Sequence, residues 1–257
     1  MIASESREGV TIVRLDRPER SNALVPALLE TLIDHLRRAA ASGRPVILTG
    51  RGRAFCAGAD LKWLATFADP SLGVAELVAA HHLAITTIID MPVPVIAALN
   101  GSVAGGGMGL VLAADYCLAA ESASFVAAYF RLGLTPDGGA TTFLERTIGL
   151  VRARELLLTN RRLSAREAYE WGLVNALVGD DELLDRAVAF ATSLEPVPGY
   201  ALLQTRRLFN AGNLRNQLQM ESVAIRTAAK GEFFRKQVLA FRQRHPDRGV
   251  TGPAASS

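Results

Sequence analysis

Two glycine-rich stretches hold backbone groups that could do chemistry. Asn100-Gly101-Ser102-Val103-Ala104-Gly105-Gly106-Gly107-Met108-Gly109 carries three adjacent glycines. It lies between the apolar run 93–99, which reads as a buried strand, and the small apolar run 110–114, which reads as a buried helix. Glycines at such a junction leave N–H groups bare to an approaching ligand oxygen, and the helix dipole favours negative charge there. The second stretch, Arg53-Ala54-Phe55-Cys56-Ala57-Gly58-Ala59-Asp60-Leu61-Lys62, also follows a strand-like run, 45–50. Singly, either is as readily a tight turn packed on a neighbouring strand. Together they can aim two N–H donors at one oxygen, the arrangement that stabilises an oxyanion or enolate. Such a hole moves no protons; a side chain must do that.

The rest of the chain must position these corners. Residues 9–16 alternate as a half-buried strand, and Pro18 breaks the polar loop 17–22. Pro26 opens a helix over 27–41 with Leu28, Leu29, Leu32, Ile33 and Leu36 on one side. Residues 63–68 read as a short helix, Asp69-Pro70-Ser71 as a break, and 74–90 as a second helix carrying His81 and His82. Short strands are expected at 115–120 and 124–126, and a Gly/Pro-rich loop at 133–139. A helix runs from Phe143 to about Thr159, Ser164 and Glu167 form a capping box, and 173–178 is extended. From Asp181 the chain is helical, with interruptions at 196–199 and 211–213 and a disordered tail over 248–257. Strand–helix alternation without a long linker predicts an α/β layered core over 1–195, with a helical region over 196–257.

Composition narrows the function classes. The chain has 257 residues, enough for one large domain, and 49% are hydrophobic, enough for a sizeable core. A net charge of +3 is too small to argue for nucleic acid, and its scattered arginines read mostly as solvated helix faces. Cys56 and Cys117 lack disulfide or metal spacing, and Cys56 reads as a small apolar filler. The polar N-terminus has no signal core and no run reaches membrane length, so a cytoplasmic protein is expected.

With both corners quoted, the chain resembles the crotonase (enoyl-CoA hydratase/isomerase) superfamily. The resemblance begins at Arg17-Pro18-Glu19-Arg20-Ser21-Asn22-Ala23-Leu24 and continues through Gly133-Leu134-Thr135-Pro136-Asp137-Gly138-Gly139 and Ala168-Tyr169-Glu170-Trp171-Gly172-Leu173-Val174. It ends near Glu232-Phe233-Phe234 and Ala240-Phe241. It implies a spiral of β-β-α units, C-terminal helices that build a homotrimer or hexamer, and an acyl-CoA substrate. The N–H groups of Ala59 and Gly106 would hold the thioester oxygen. Arg20, Ala23, Ala57, Asp60, Leu61 and Lys62 would lie beside the CoA moiety, although Lys62 suits a solvated surface equally well. No metal or redox cofactor is implied, since CoA arrives with the substrate.

Hydratases of this family use two glutamates, one three residues after the oxyanion glycine and one twenty residues further on. Those positions hold Gly109 and Tyr129 here, which argues against ordinary hydration. Asp137 matches the acid–base aspartate of several isomerases of the family, although Pro-Asp-Gly also suits a plain turn. An apolar pocket would raise its pKa towards the working range. Chlorobenzoyl-CoA dehalogenases of the family carry a working histidine at the His82 position and a nucleophilic aspartate at the Asp137 position. Tyr129 is expected as a pocket-lining aromatic more than as a proton donor. An enoyl-CoA isomerase is therefore expected. An aryl-CoA dehalogenase or acyl-CoA hydrolase, a residual hydratase and a non-catalytic acyl-CoA scaffold are the alternatives.

Overall fold

The computed structural model of the protein describes residues 1–209 and 214–244. The interruption expected at 211–213 and the tail expected at 248–257 lie outside the described residues. The strands are β1 (Ile2–Arg7), β2 (Val10–Leu15), β3 (Val46–Gly50), β4 (Ala54–Cys56), β5 (Val95–Leu99), β6 (Ser102–Ala104), β7 (Tyr116–Ala120), β8 (Ser124–Val126), β9 (Leu163–Ser164) and β10 (Ala176–Val178). The helices are α1 (Pro26–Ala41), α2 (Leu61–Leu64), α3 (Pro70–Ile89), α4 (Gly107–Leu112), α5 (Ala140–Thr159), α6 (Ala165–Glu170), α7 (Leu183–Ser193), α8 (Gly199–Phe209), α9 (Leu214–Ala229) and α10 (Glu232–Arg244).

Two sheets form, ordered β1-β2-β3-β5-β7-β10 and β4-β6-β8-β9. The large sheet is parallel from β2 to β10, and β1 joins it antiparallel. Each turn of the chain sends one strand to the large sheet and the next to the small one before a helix returns. β3-β4, β5-β6 and β7-β8 repeat this step, which is the β-β-α spiral. Because successive strand residues face opposite ways, both faces of the large sheet must be covered. Ile12, Ile47, Ile96 and Leu118 pack with Leu183, Ala187, Val188 and Ala191 of α7. Their neighbours Val13, Leu48 and Ala97 enter the larger core with the Leu28–Leu36 face of α1. Each Ile, Leu or Val side chain among these contributes roughly 1.5–3 kcal/mol of burial.

Several boundaries differ from the sequence reading. Asp69-Pro70-Ser71 is the start of α3, not a break. The Asp69 carboxylate accepts the Ser71 N–H, and Pro70 occupies the first turn, where its missing N–H costs nothing. α2 starts at Leu61 because Asp60 caps it through the N–H groups of Lys62 and Trp63. α5 begins at Ala140 and is interrupted at Gly149, whose φ is 77°. The Ser164–Glu167 capping box forms as read. α3 is long and apolar enough to cross a membrane, contrary to the reading that no run reaches that length. It packs instead as a core helix against α1 and α9, with ten of its residues buried.

Candidate active site

β3 and β5 do not run directly into the corners, as the sequence suggested. Each hands over to a short strand, and it is β4 and β6 that end there. These two pair in parallel, which brings both corners out side by side. The approach is close enough to require glycine. A Cβ on Gly58, whose φ is +80°, would sit 2.8 Å from the Ala104 carbonyl oxygen and 3.4 Å from Gly105 Cα. The loop over 17–24 ties down the first corner. Ala57 N–H donates to Ser21 O (3.0 Å), Leu24 N–H to Gly58 O (2.7 Å) and Asp60 N–H to Leu24 O (3.0 Å). Among the described residues, the N–H groups of Ala59 and Gly106 meet no backbone acceptor. Both residues line one cavity of about 200 Å³.

Leu61, Leu64, Val74, Leu77, Leu134 and Ile225 give that cavity apolar walls, and His81, Tyr129 and Asp137 supply side-chain polarity. Val74, Leu77, Val78 and His81 come from one face of α3, at the i, i+3, i+4, i+7 spacing. His82, the histidine singled out in the sequence, does not line the cavity. Its Nε2 accepts the Gly138 N–H (3.2 Å), and burial brings its pKa down to about 4, so the ring is neutral at working pH. His81 is the histidine against the aspartate, with Nδ1 3.3 Å from Asp137 Oδ2. A carboxylate can only accept, so His81 carries its proton on Nδ1. Its Nε2 is buried without a hydrogen-bond partner.

Asp137 is 5% exposed. Burial alone pushes its pKa up, as expected from the sequence. His81 beside it, then His82 and Tyr129, outweigh that push and hold the carboxyl below its ordinary value. The expected upward shift is thus reversed, and Asp137 stands as an anion. Tyr129 is buried; its hydroxyl donates to the Asp137 backbone carbonyl (3.3 Å), and burial raises its pKa well above the ordinary phenol value. The first hydratase position is closed. A Cβ on Gly109 would lie 2.8 Å from Gly138 O and 3.3 Å from His81 Cε1. Cys56 is fully buried and its thiol is pushed up to about 12, consistent with a filler.

The residues expected beside CoA collect on the strip next to the first corner. Ala57 is exposed, Arg20 and Lys62 are half-buried, Ala23 is buried, and Leu61 turns into the cavity. The Asp60 carboxylate is engaged within the protein. Its Oδ1 accepts the Lys62 and Trp63 N–H groups, and its Oδ2 pairs with Arg17 at 3.0 Å. Arg17 also donates to the Ala23 carbonyl (2.6 Å), so the pair clamps the loop over 17–24 to the corner.

Two residues of this neighbourhood escaped the sequence reading. His81 could have been found from the apolar spacing of its helix face. Glu221, which reaches the Asp137 turn from α9, has no local signal. His81, His82 and Asp137 each offer a ligand atom within 4.8 Å of one another, a spacing that suits a metal ion. Gly138 N–H already donates to His82 Nε2, however, and His81 Nδ1 already faces Asp137, so these ligand atoms are engaged in a hydrogen-bonded cluster, while His81 Nε2 is left without a partner.

The comparisons with known proteins match this geometry. The family model described as enoyl-CoA hydratase/isomerase matches residues 5–245. A probable enoyl-CoA hydratase of Rhodobacter capsulatus is 37% identical, over 95% of this chain and 96% of its own. A 1,2-epoxyphenylacetyl-CoA isomerase of Escherichia coli is 36% identical, over 93% and 94% respectively. The crystal structure of an enoyl-CoA hydratase from Bacillus halodurans superposes with a TM-score of 0.84 at 25% identity, covering 93% of this chain and 99% of the other. With the spiral of paired strands, the two corners and a match over nearly its whole length, the chain belongs to the enoyl-CoA hydratase/isomerase family of the crotonase superfamily.

Proposed function

We propose that the protein is an enoyl-CoA double-bond isomerase. The N–H groups of Ala59 and Gly106 receive the thioester oxygen of a 3-enoyl-CoA. Asp137 takes a proton from C2, the dienolate charge rests on the two N–H donors, and the new carboxylic acid returns the proton at C4. His81 steadies the carboxylate through its Nδ1–H. The observation that carries this reading is the acid inventory of the cavity. Among the described residues lining it, Asp137 is the only acid, and both glutamate positions of a hydratase lack a carboxylate. The similarity to a 1,2-epoxyphenylacetyl-CoA isomerase supports it further. Apolar walls suit an aliphatic or aromatic acyl group, with the CoA moiety over the strip that includes Arg20, Ala57 and Lys62.

The test is product analysis with 3-enoyl-CoA and 2-enoyl-CoA offered separately. Double-bond migration from C3 to C2 without addition of water is expected. Formation of 3-hydroxyacyl-CoA would replace the reading by a hydratase. Release of free CoA, with a mixed anhydride at Asp137 detected by mass after a single turnover, would replace it by a nucleophilic hydrolase. The C-terminal helices leave Leu208, Phe209, Met220 and Val223 63–77% exposed. We propose that such faces meet in a homotrimer, which light scattering of the purified protein would check.

A further inference from the structure

Glu221 is a buried acid that the chemistry above does not use. It lies on α9, is 4% exposed, and points at the start of α5. One of its oxygens accepts Gly139 N–H at 2.7 Å. The other accepts Thr141 N–H at 3.2 Å and the Thr141 hydroxyl, and Gln217 donates to that hydroxyl at 2.8 Å. Gly139 is the N-cap of α5, has φ +79° and no side chain of its own to cap with. A carboxylate from 80 residues away therefore does the work that serine or aspartate does locally at other helices.

We propose that Glu221 is a positioning residue for Asp137, holding from α9 the turn that aims this carboxylate into the cavity. The inference rests on the reading of Asp137 as the acid–base group. Asp137 is joined to α5 by Gly138 and Gly139, both left-handed, the most permissive link a chain can make. Three contacts remove that freedom. Tyr129 holds the Asp137 carbonyl, His82 holds the Gly138 N–H, and Glu221 holds the Gly139 and Thr141 N–H groups. The same helix places Ile225, one turn beyond Glu221, in the cavity wall. α9 therefore both closes the acyl pocket and fixes the residue that acts in it.

The test is a kinetic double-mutant cycle on the full-length protein. Glu221→Gln keeps the size of the side chain but loses the charge that binds three donors. It should lower kcat for isomerisation by ~10- to 100-fold, with KM and the affinity for a non-reactive acyl-CoA within about threefold of native. In an Asp137→Asn background the same change should alter the residual exchange of the C2 proton by less than about twofold. Thr141→Val, which loosens the contact from the other side, should show a smaller fall in kcat that also vanishes in that background. It decides the matter if Glu221→Gln does not fold. A native kcat in Glu221→Gln, a loss confined to KM, or an equal loss in both backgrounds would overturn the positioning role while leaving Asp137 in place. An Asp137→Asn protein with native isomerisation would overturn the acid–base reading and the positioning role with it.

Discussion

Asp60 and Asp137 are each 5% exposed, and each follows or faces a glycine corner. Burial does not tell them apart; their partners do. Asp60 uses both oxygens on fixed donors, two backbone N–H groups and the guanidinium of Arg17. It ties α2 and the loop over 17–24 to the first corner. Asp137 meets one histidine N–H at 3.3 Å and otherwise faces the cavity. Its backbone is held instead, by Tyr129 at its own carbonyl, by His82 at Gly138 and by Glu221 at Gly139. In one case the carboxylate holds the backbone; in the other the backbone is held so that the carboxylate stays available.

That contrast can be broken by exchanging acid for amide at both positions. Asp137→Asn should lower isomerase turnover by about three orders of magnitude while leaving the unfolding midpoint in denaturant nearly unchanged. Gly106→Pro comes next, with an expected loss of about two to three orders of magnitude. The native φ of −57° suits proline, so the substitution removes the N–H without forcing the backbone at that residue. Steady-state kinetics alongside circular dichroism would separate loss of the donor from loss of the fold. Asp60→Asn should do the reverse of Asp137→Asn. The amide still caps α2, but Arg17 loses its charge partner, at a cost of about 2 kcal/mol in equilibrium unfolding and little change in kcat.

The smallest expected effect is a dependence on pH. His82 has a folded pKa of about 4, below the ordinary histidine value, because burial disfavours its charged form. The unfolded chain therefore binds the extra proton first as pH falls. Stability should decline by about 1 kcal/mol between about pH 6 and 5, and His82→Gln should flatten that slope in denaturant titrations. Asp137 is held low in the fold, so its own contribution is lost only at more acidic pH.

The parts of this account that were legible in the sequence are those written locally. The two corners, the amphipathic face of α1, the Ser164 capping box and the missing glutamates at Gly109 and Tyr129 each occupy one short stretch. The handover from β3 to β4 and from β5 to β6 was harder to read, because three-residue strands carry almost no periodicity. Asp60 and Asp69 sit directly before their helices and were readable as caps, yet the functional reading of one corner and the proline of the other drew attention away. His81 and His82 are adjacent, and only the phase of α3 against the cavity chooses between them. Glu221 acts across 82 residues, where nothing in the local letters announces it. The pKa direction of Asp137 was misjudged for a related reason: its neighbours on α3 come from 56 residues upstream.

The most direct measurement of the central claim is exchange of the C2 proton of 3-enoyl-CoA with solvent deuterium, followed by mass spectrometry in native and Asp137→Asn protein. The native protein should place deuterium at C4 of the 2-enoyl product as the double bond migrates, and at C2 of recovered 3-enoyl-CoA where the dienolate is reprotonated there after exchange with solvent. Asp137→Asn should bind the same ester and exchange about a thousandfold more slowly. Exchange at the native rate in Asp137→Asn would contradict the assignment of Asp137 as the group that moves the proton.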